Sequence, residues 1–293
     1  MLPAAEAVSH GAVTIVNAMA TGKGAALGVE LRTHATVTLT NQSGVFVARN
    51  LTDPRENTKL AKVTAQKVFT RFKADKRFGA IVETDSNIPI AVGLKSSSAA
   101  SNAVALASLR ALGRKISDVE VVRLGVQASF KAGVTLTGAF DDACACYFGG
   151  VVVTDNLKRR ILKRFTPKGR LRVLIHVPKM KKYTRDVDSD SFKSIKPFIQ
   201  AAHRSALRGD YWSSMTLNGL IYSMALGYDT RTTTSALDSG ALAAGLTGKG
   251  PAVAAIVPES KKDELRAAWR RFNGTIIETS FNFRKARARE LRR

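Results

Sequence analysis

The sequence predicts a globular protein built from interleaved strands and helices, with room for two compact lobes or one large one. Three observations carry this expectation. Hydrophobic residues make up 45% of the chain and recur throughout at strand or helix spacing. Glycine and proline are used at ordinary frequency, unlike in disordered or fibrous chains. The 293 residues are also enough to bury a real core.

Residues 12–20 and 29–40 are rich in β-branched residues (Val13, Thr14, Ile15, Val16; Val29, Leu31, Thr33, Val37, Leu39) and predict two strands. Between them, Ala20-Thr21-Gly22-Lys23-Gly24-Ala25-Ala26 is a small-residue turn past which another group can come close. Leu60, Val63, Ala65, Val68, Phe69 and Phe72 predict an amphipathic helix over 57–72, started by Asp53-Pro54. A short strand at 80–84 leads through Pro89 into Ile90-Ala91-Val92-Gly93-Leu94-Lys95-Ser96-Ser97-Ser98-Ala99, a loop rich in Gly and Ser. That loop opens directly into a buried helix ending at Gly113. A second helix is expected over 117–132, begun by the capping box of Ser117 and Glu120.

Then come Gly138-Ala139-Phe140-Asp141-Asp142-Ala143, an apolar stretch to Gly149-Gly150, and a strand at 151–154. The basic segment 158–172 fits a hairpin or a linker, and 172–177 fits a strand. We place a lobe boundary near residue 165, dividing 1–165 from 166–293. Beyond it, helices are expected at 191–207, 210–225, 232–243 and 261–272, and strands at 252–257 and 274–281. A turn is expected at Gly245–Pro251 and a frayed tail at the end. Thr-Gly-Lys-Gly occurs at 21–24 and at 247–250, but the flanks differ and no other period appears.

The 46 Lys and Arg against 23 Asp and Glu leave a formal charge of +23, concentrated in 158–185 and 284–293. Such an excess fits a nucleic acid, an acidic membrane surface, or small anions such as ATP and a carboxylate substrate. The basic runs lack the interleaved aromatics that stack single-stranded bases. Apolar runs are too short to span a bilayer and no basic start precedes the first one, so a cytoplasmic protein is expected. Cys144 and Cys146 are too close for an unstrained disulfide and too few for a zinc site, which leaves buried free thiols. His10, His34, His176 and His203 lack metal-ligand spacing and read as structural or surface residues.

Two segments can carry chemistry. Small residues at a helix start offer unhindered backbone N–H groups and the positive end of the helix dipole, which together bind phosphate. Gly93 to Ser101 meets that requirement, and the hydroxyls of Ser96, Ser97 and Ser98 add oxygens for phosphate or magnesium; a Ser-capped helix with no ligand has the same pattern. Asp141 and Asp142 stand in a segment hydrophobic enough that buried carboxylates need a partner. They read either as a helix cap with its neighbour or as a proton acceptor beside a metal or orienting acid. No Gly-x-x-x-x-Gly-Lys-Ser/Thr and no Gly-x-Gly-x-x-Gly after a strand occurs, which excludes a Walker-type loop and argues against a dinucleotide fold.

Pro89-x-x-x-Gly93-Leu94-Lys95-Ser96-Ser97-Ser98-Ala99-Ala100 resembles the second signature of the GHMP kinases, the superfamily of galactokinase, homoserine kinase, mevalonate kinase and phosphomevalonate kinase. Leu246-Thr247-Gly248-Lys249-Gly250-Pro251-Ala252 resembles the third, and Asp141 to Gly150 resembles the segment with the catalytic aspartate. Within the superfamily, Ala12 to Ala18 with Thr21 to Ala26, and Gly133 to Ala143, resemble the archaeal-type shikimate kinases over nearly the whole chain. The resemblance implies an α+β protein of two lobes, the first like ribosomal protein S5 domain 2 and the second ferredoxin-like, with ATP and substrate in the cleft between them.

It also implies phosphorylation of shikimate to shikimate 3-phosphate, in aromatic amino-acid synthesis, with Mg²⁺. Other GHMP acceptors (homoserine, mevalonate, pantoate) are the nearest alternative, and a basic nucleic-acid-binding protein is a more distant one. By the same resemblance Pro89, Ile90, Ala91, Val92, Gly93, Leu94, Lys95, Ser96, Ser97, Ser98 and Ala99 wrap the ATP phosphates, and Ser97 and Asp142 reach the metal. Asp141 is the catalytic aspartate with Lys23 a cation near the transferred phosphate, and Asn17, Thr137, Thr247, Gly248 and Gly250 line the substrate side. Two departures stand out. Lys95 replaces the usual Gly or Ser, and the helix before Asp141 offers Gln127 and Ser129 where a metal-binding Glu is expected, so that Asp142 or Glu83 would have to serve.

Overall fold

In the computed structural model, which describes residues 2–135, 138–179 and 192–291, the first two segments form long paired strands, β1 (Ala4–Val16) and β2 (Lys23–Thr40). Their antiparallel register slips at His10/Gly11 and again at Thr14/Val16. Slips of this kind re-aim side chains, and the second lies where Thr14 and Asn17 enter the site described below. The 18 residues of β2 span two partners. Its start pairs with β5 (Val151–Asp155), which turns into β6 (Arg160–Phe165), and its end pairs with β4 (Gly79–Ser86). A short strand, β3 (Phe46–Asn50), runs parallel to β4 at one edge.

Helices cover this sheet. α2 (Ser96–Ala111) and α4 (Phe140–Phe148) lie on β1 and β2, while α1 (Lys59–Arg71) and α3 (Asp118–Ala132) pack against α2. Phe46, Phe69, Val82 and Val104 fill the space beneath α1 and α2.

A second, fully antiparallel sheet has the order β10 (Gly274–Thr279), β7 (Leu171–Pro178), β9 (Val253–Pro258), β8 (Ala243–Leu246). Strand alternation splits its residues between two faces. Val173, Ile175, Ala254 and Ile256 join the main core with α5 (Lys196–Arg208) and α6 (Tyr211–Ala225), through Ile199, Met215 and Tyr222. Leu174, Val253 and Val257 face the other way, against Leu265 and Trp269 of α8 (Lys262–Trp269) and Ala236 of α7 (Arg231–Asp238). Because α6 touches both β8 and β1, and Ile15, Leu27 and Phe140 belong to the same core as Met215 and Ile256, the two sheets share one interior. Two sheets with helices packed beside them, rather than alternating β-α units, are the α+β class.

Two expectations are corrected. The tail is not frayed: Arg287–Leu291 forms β11, which pairs with β1 from Ala4↔Leu291 to Val8↔Arg287 and so returns the chain end to the first sheet. Its Arg and Glu residues are what an edge strand carries when it must not pair further. The helix expected over 232–243 stops at Asp238, since Gly240 takes φ 82, and Ala243–Leu246 is strand β8. The apolar stretch after Gly138 is helix α4. The basic segment is in part the β5–β6 hairpin, and Cys144 and Cys146 are buried and free. The first residue of the helix expected over 191–207 lies outside the described residues.

Candidate active site

Ile88, Val92 and Leu94 anchor the loop after β4 in the core. Ala91, Gly93 and Lys95 between and beside them take left-handed backbone (φ 60, 91 and 67), so the chain folds tightly and α2 starts abruptly. Lys95 is the N-cap of α2 and no side chain caps it. The first N–H groups of a helix have no intrahelical acceptor. Here they belong to Ser96, Ser97 and Ser98, which line a cavity of about 190 Å³ at the positive end of the helix dipole. Of the expected ATP contacts, Ala91, Gly93, Leu94, Lys95, Ser96, Ser97 and Ser98 line this cavity. Pro89, Ile90, Val92 and Ala99 do not: the first two form the preceding turn, and the last two are buried behind the loop.

The opposite wall is the glycine-rich turn between β8 and β9. Thr247 Oγ1 donates to the Gly93 carbonyl (2.9 Å) and accepts from the Thr14 N–H (3.1 Å), while the Gly248 N–H donates to Thr14 Oγ1 (2.8 Å). The Ala252 N–H reaches the Val92 carbonyl at 3.3 Å. A Cβ on Gly93 would collide with the Thr247 carbonyl oxygen, so only glycine lets the two loops touch. Asn17 Nδ2 donates to the Gly248 carbonyl (2.8 Å) and its Oδ1 accepts from the Met19 N–H (3.0 Å). This changes the role expected of one substrate contact. Thr247 is fully buried and does not line the cavity, so it braces the two walls; Asn17 lines the cavity while also tying them together. Gly248 and Gly250 line the cavity, and Thr137 lies outside the described residues.

Asp141 and Asp142 enter from a third side as the second and third residues of α4. The N-cap is Ala139, with φ 47 and no side-chain cap, so neither acid is the cap. Both carboxylates gain from the dipole of α4, and Asn102 Nδ2 ties the helix to α2 through the Ala143 carbonyl (2.8 Å). Asp141 is 3% exposed. Asn156 holds it twice: Asn156 Nδ2 donates to Asp141 Oδ1 (2.7 Å) and Asn156 Oδ1 accepts from the Asp141 N–H (3.1 Å). Thr154 Oγ1 donates to the same Asn156 Oδ1 at 2.6 Å, which fixes the amide orientation. Burial, then the neighbouring Asp142 charge, pushes the Asp141 carboxyl up to about 7 against the opposing pull of Asn156 and Lys95. A Cβ on Gly24 would collide with Asp141 Oδ2, so the first Thr-Gly-Lys-Gly turn leaves room for the acid.

The structure does not bring Lys23 to the cavity: it is exposed at the start of β2. Two other lysines line it. Lys95 Nζ lies 3.0 Å from Asp142 Oδ1, and Lys249 is pushed down to about 8 by burial and by the charge of Lys95. Lys249 sits inside the third signature, yet nothing in its local sequence marks it. Asn156, 15 residues beyond Asp141, has no sequence signal at all. Glu83 faces Arg49 across β3 and β4 and does not line the cavity.

Magnesium prefers hard oxygen donors and is held by one or two carboxylates together with substrate phosphates. Ser97 and Asp142 are donors of that kind, and among the described residues no group of three His, Cys, Asp or Glu gathers into a protein cage. The set fits an ion that arrives with a nucleotide.

Residues 59–150 match the family model for the N-terminal domain of GHMP kinases, and 229–274 match that for the GHMP kinase C-terminal domain. The fold agrees with homoserine kinase from Cytophaga hutchinsonii (TM-score 0.76, 17% identity, 98% of this chain and 97% of that one). It agrees also with mevalonate kinase from Methanococcus jannaschii (TM-score 0.71, 16% identity, 94% and 98%). The chain belongs to the GHMP kinase family and is an ATP-dependent phosphotransferase. It is 42% identical over 278 residues to a shikimate kinase of Methanosarcina mazei, covering 94% of each chain. It is 44% identical over 283 residues to that of Methanosarcina acetivorans (96% and 95%) and 43% identical over 269 residues to that of Pyrococcus furiosus (92% and 96%).

Proposed function

We propose that this kinase transfers the terminal phosphate of ATP to a hydroxyl of shikimate, giving ADP and shikimate 3-phosphate. The observation that carries the reading is that Ser96, Ser97 and Ser98 at the start of α2 and the buried Asp141 line one cavity. Near-full-length similarity to shikimate kinases supports the choice of acceptor.

Phosphoryl transfer asks the protein mainly for alignment and charge neutralisation. The N–H groups and hydroxyls of Ser96–Ser98 hold phosphate oxygens, and the Gly248–Gly250 turn closes the opposite side. Asp141 takes the proton from the attacking hydroxyl as its oxygen bonds to the γ-phosphorus and the bond to the β,γ-bridging oxygen breaks. Burial and the Asp142 charge raise its carboxyl above the ordinary carboxylate range, which suits a proton acceptor. Asn156 keeps the carboxylate aimed. Ser97 Oγ and the Asp142 carboxylate would hold the magnesium that accompanies ATP, which supplies neutralisation of the phosphate charge.

The test is product identification. Purified protein with ATP and shikimate is analysed by phosphorus NMR, with homoserine, mevalonate and pantoate in parallel. A phosphomonoester formed with shikimate and not with the others is the expected result; turnover of another acceptor in its place would reject shikimate while leaving the family intact.

A further inference from the structure

The antiparallel pairing of β1 with β2 ends at Val16↔Ala25, so the backbone just beyond it must find its partners elsewhere. Two side chains of α6 supply them. Asn218 Oδ1 accepts from the Asn17 N–H at 2.8 Å, and the Tyr222 hydroxyl accepts from the Ala20 N–H at 3.0 Å and donates to the Asn17 carbonyl at 3.3 Å. The two residues stand four apart on one face of α6, both buried. Polar groups at such depth are costly unless they are bonded, and these bond to the same short turn. The turn carries the constraint onward: the Ala18 carbonyl accepts from the Gly22 N–H (2.7 Å), the Gly22 carbonyl accepts from the Asn156 N–H (2.9 Å), and Asn156 holds Asp141. α6 also fixes the facing wall. Thr216 Oγ1 accepts from the Ala244 N–H at 3.3 Å, and Gly219 lies so close to Gly245 that a Cβ on either would collide. Both contacts are to β8, which runs straight into the Thr247–Gly250 turn.

We infer that Asn218 and Tyr222 are positioning residues of the phosphoryl transfer, which hold the β1–β2 turn so that Gly22 seats Asn156 and Asn156 aims Asp141. This rests on the reading of Asp141 as the proton acceptor. Neither residue lines the cavity, so both act through the turn. One helix thereby gauges the gap between the glycine turn and the acid, and transfer depends steeply on that alignment.

Tyr222→Phe keeps the ring, which packs 5.4 Å from Phe192, and removes only the hydroxyl. The pH profile of shikimate turnover and the affinity for a methylene-bridged ATP analogue are measured for the wild type, Tyr222→Phe, Asn156→Ala and the double variant. Tyr222→Phe is expected to lower kcat at least about tenfold, with analogue affinity held within about threefold. It should also raise the pH at which kcat/KM levels off, because Asn156 is loosened while Asp142 and Lys95, the charged groups acting on Asp141, stay in place. In the Asn156→Ala background it should raise that pH no further. An unmoved profile, a shift that persists without Asn156, or a loss of analogue affinity as large as the loss of kcat would each overturn the inference. Should Tyr222→Phe fail to fold, Asn218→Leu makes the same comparison, with the same outcomes decisive. Absence of shikimate turnover by the wild type, or full turnover by Asp141→Asn, would instead defeat the reading on which the inference rests.

Discussion

Asp141 is a carboxyl that the fold makes hard to ionise and easy to aim. Its value near 7, raised first by burial and then by Asp142, predicts that kcat/KM rises with pH and levels off above about 7, because the acceptor must be ionised. Asn156 opposes the rise by donating to Oδ1. Asn156→Ala is therefore expected to move that limb to higher pH, and an unmoved limb would show that Asn156 does not act on Asp141. The same raised value has a consequence for stability. The folded state holds the Asp141 proton more tightly than the unfolded chain, whose carboxyl titrates near 3.8, so this contribution is present below that value and is lost as pH rises to about 7. Asp141→Asn removes the loss, and its Tm should fall less than that of the wild type between about pH 5 and about pH 8; equal falls would contradict the burial argument. At this scale the sequence showed Asp141, Ser97 and Gly248, because each lies in a short contiguous pattern. Asn156 was hidden, because it meets Asp141 only through the pairing of β2 with β5, and the pairing of Lys95 with Asp142 was not legible because it joins two separate helix starts. Lys23 was misplaced for the converse reason. Its turn does reach the site, but through Gly24, while the lysine side chain points to solvent.

The elements that make the site are two helix starts, α2 and α4, each entered through a left-handed residue and each without a side-chain cap. The contrast with α3 is informative. There Ser117 accepts the Glu120 N–H as the capping box predicts, while the Glu120 carboxylate turns away to Arg71 at 2.6 Å. The lack of a side-chain cap is shared by α1, α5, α7 and α8, so what sets α2 and α4 apart is that residues of their first turns line the cavity. Gly93 is the point where the α2 loop meets the β8–β9 turn, at φ 91 and in contact with the Thr247 carbonyl. Gly93→Ala should cost about 1–3 kcal/mol in denaturant unfolding and weaken binding of the ATP analogue; full stability and affinity would show that the loops need not touch. Helices and strands with strong periodicity, such as α1, α3 and β2, were legible. β3 and β11 were not, since five residues carrying Arg, Asn or Glu give no apolar alternation, and their pairing is decided by the neighbouring strand.

At the scale of the whole molecule, one core running from Ile15 through Met215 to Ile256 holds the two sheets at the spacing the cavity requires. The charge of +23 is not concentrated in that cavity. Part of the basic run is spent on packing: Arg164 stacks 4.8 Å over Phe148 and donates to its carbonyl, Arg159 lies over Phe130, and Lys163 lies over Phe165. Among the described residues no helix is long and apolar enough to cross a membrane. The central claim, that phosphate gripped at the start of α2 is passed to a hydroxyl deprotonated by Asp141, is tested most directly by ADP release with shikimate, comparing the wild type with Asp141→Asn. The account predicts shikimate-dependent release that falls at least about a hundredfold in the variant, with affinity for the ATP analogue retained. Undiminished release by the variant would contradict it.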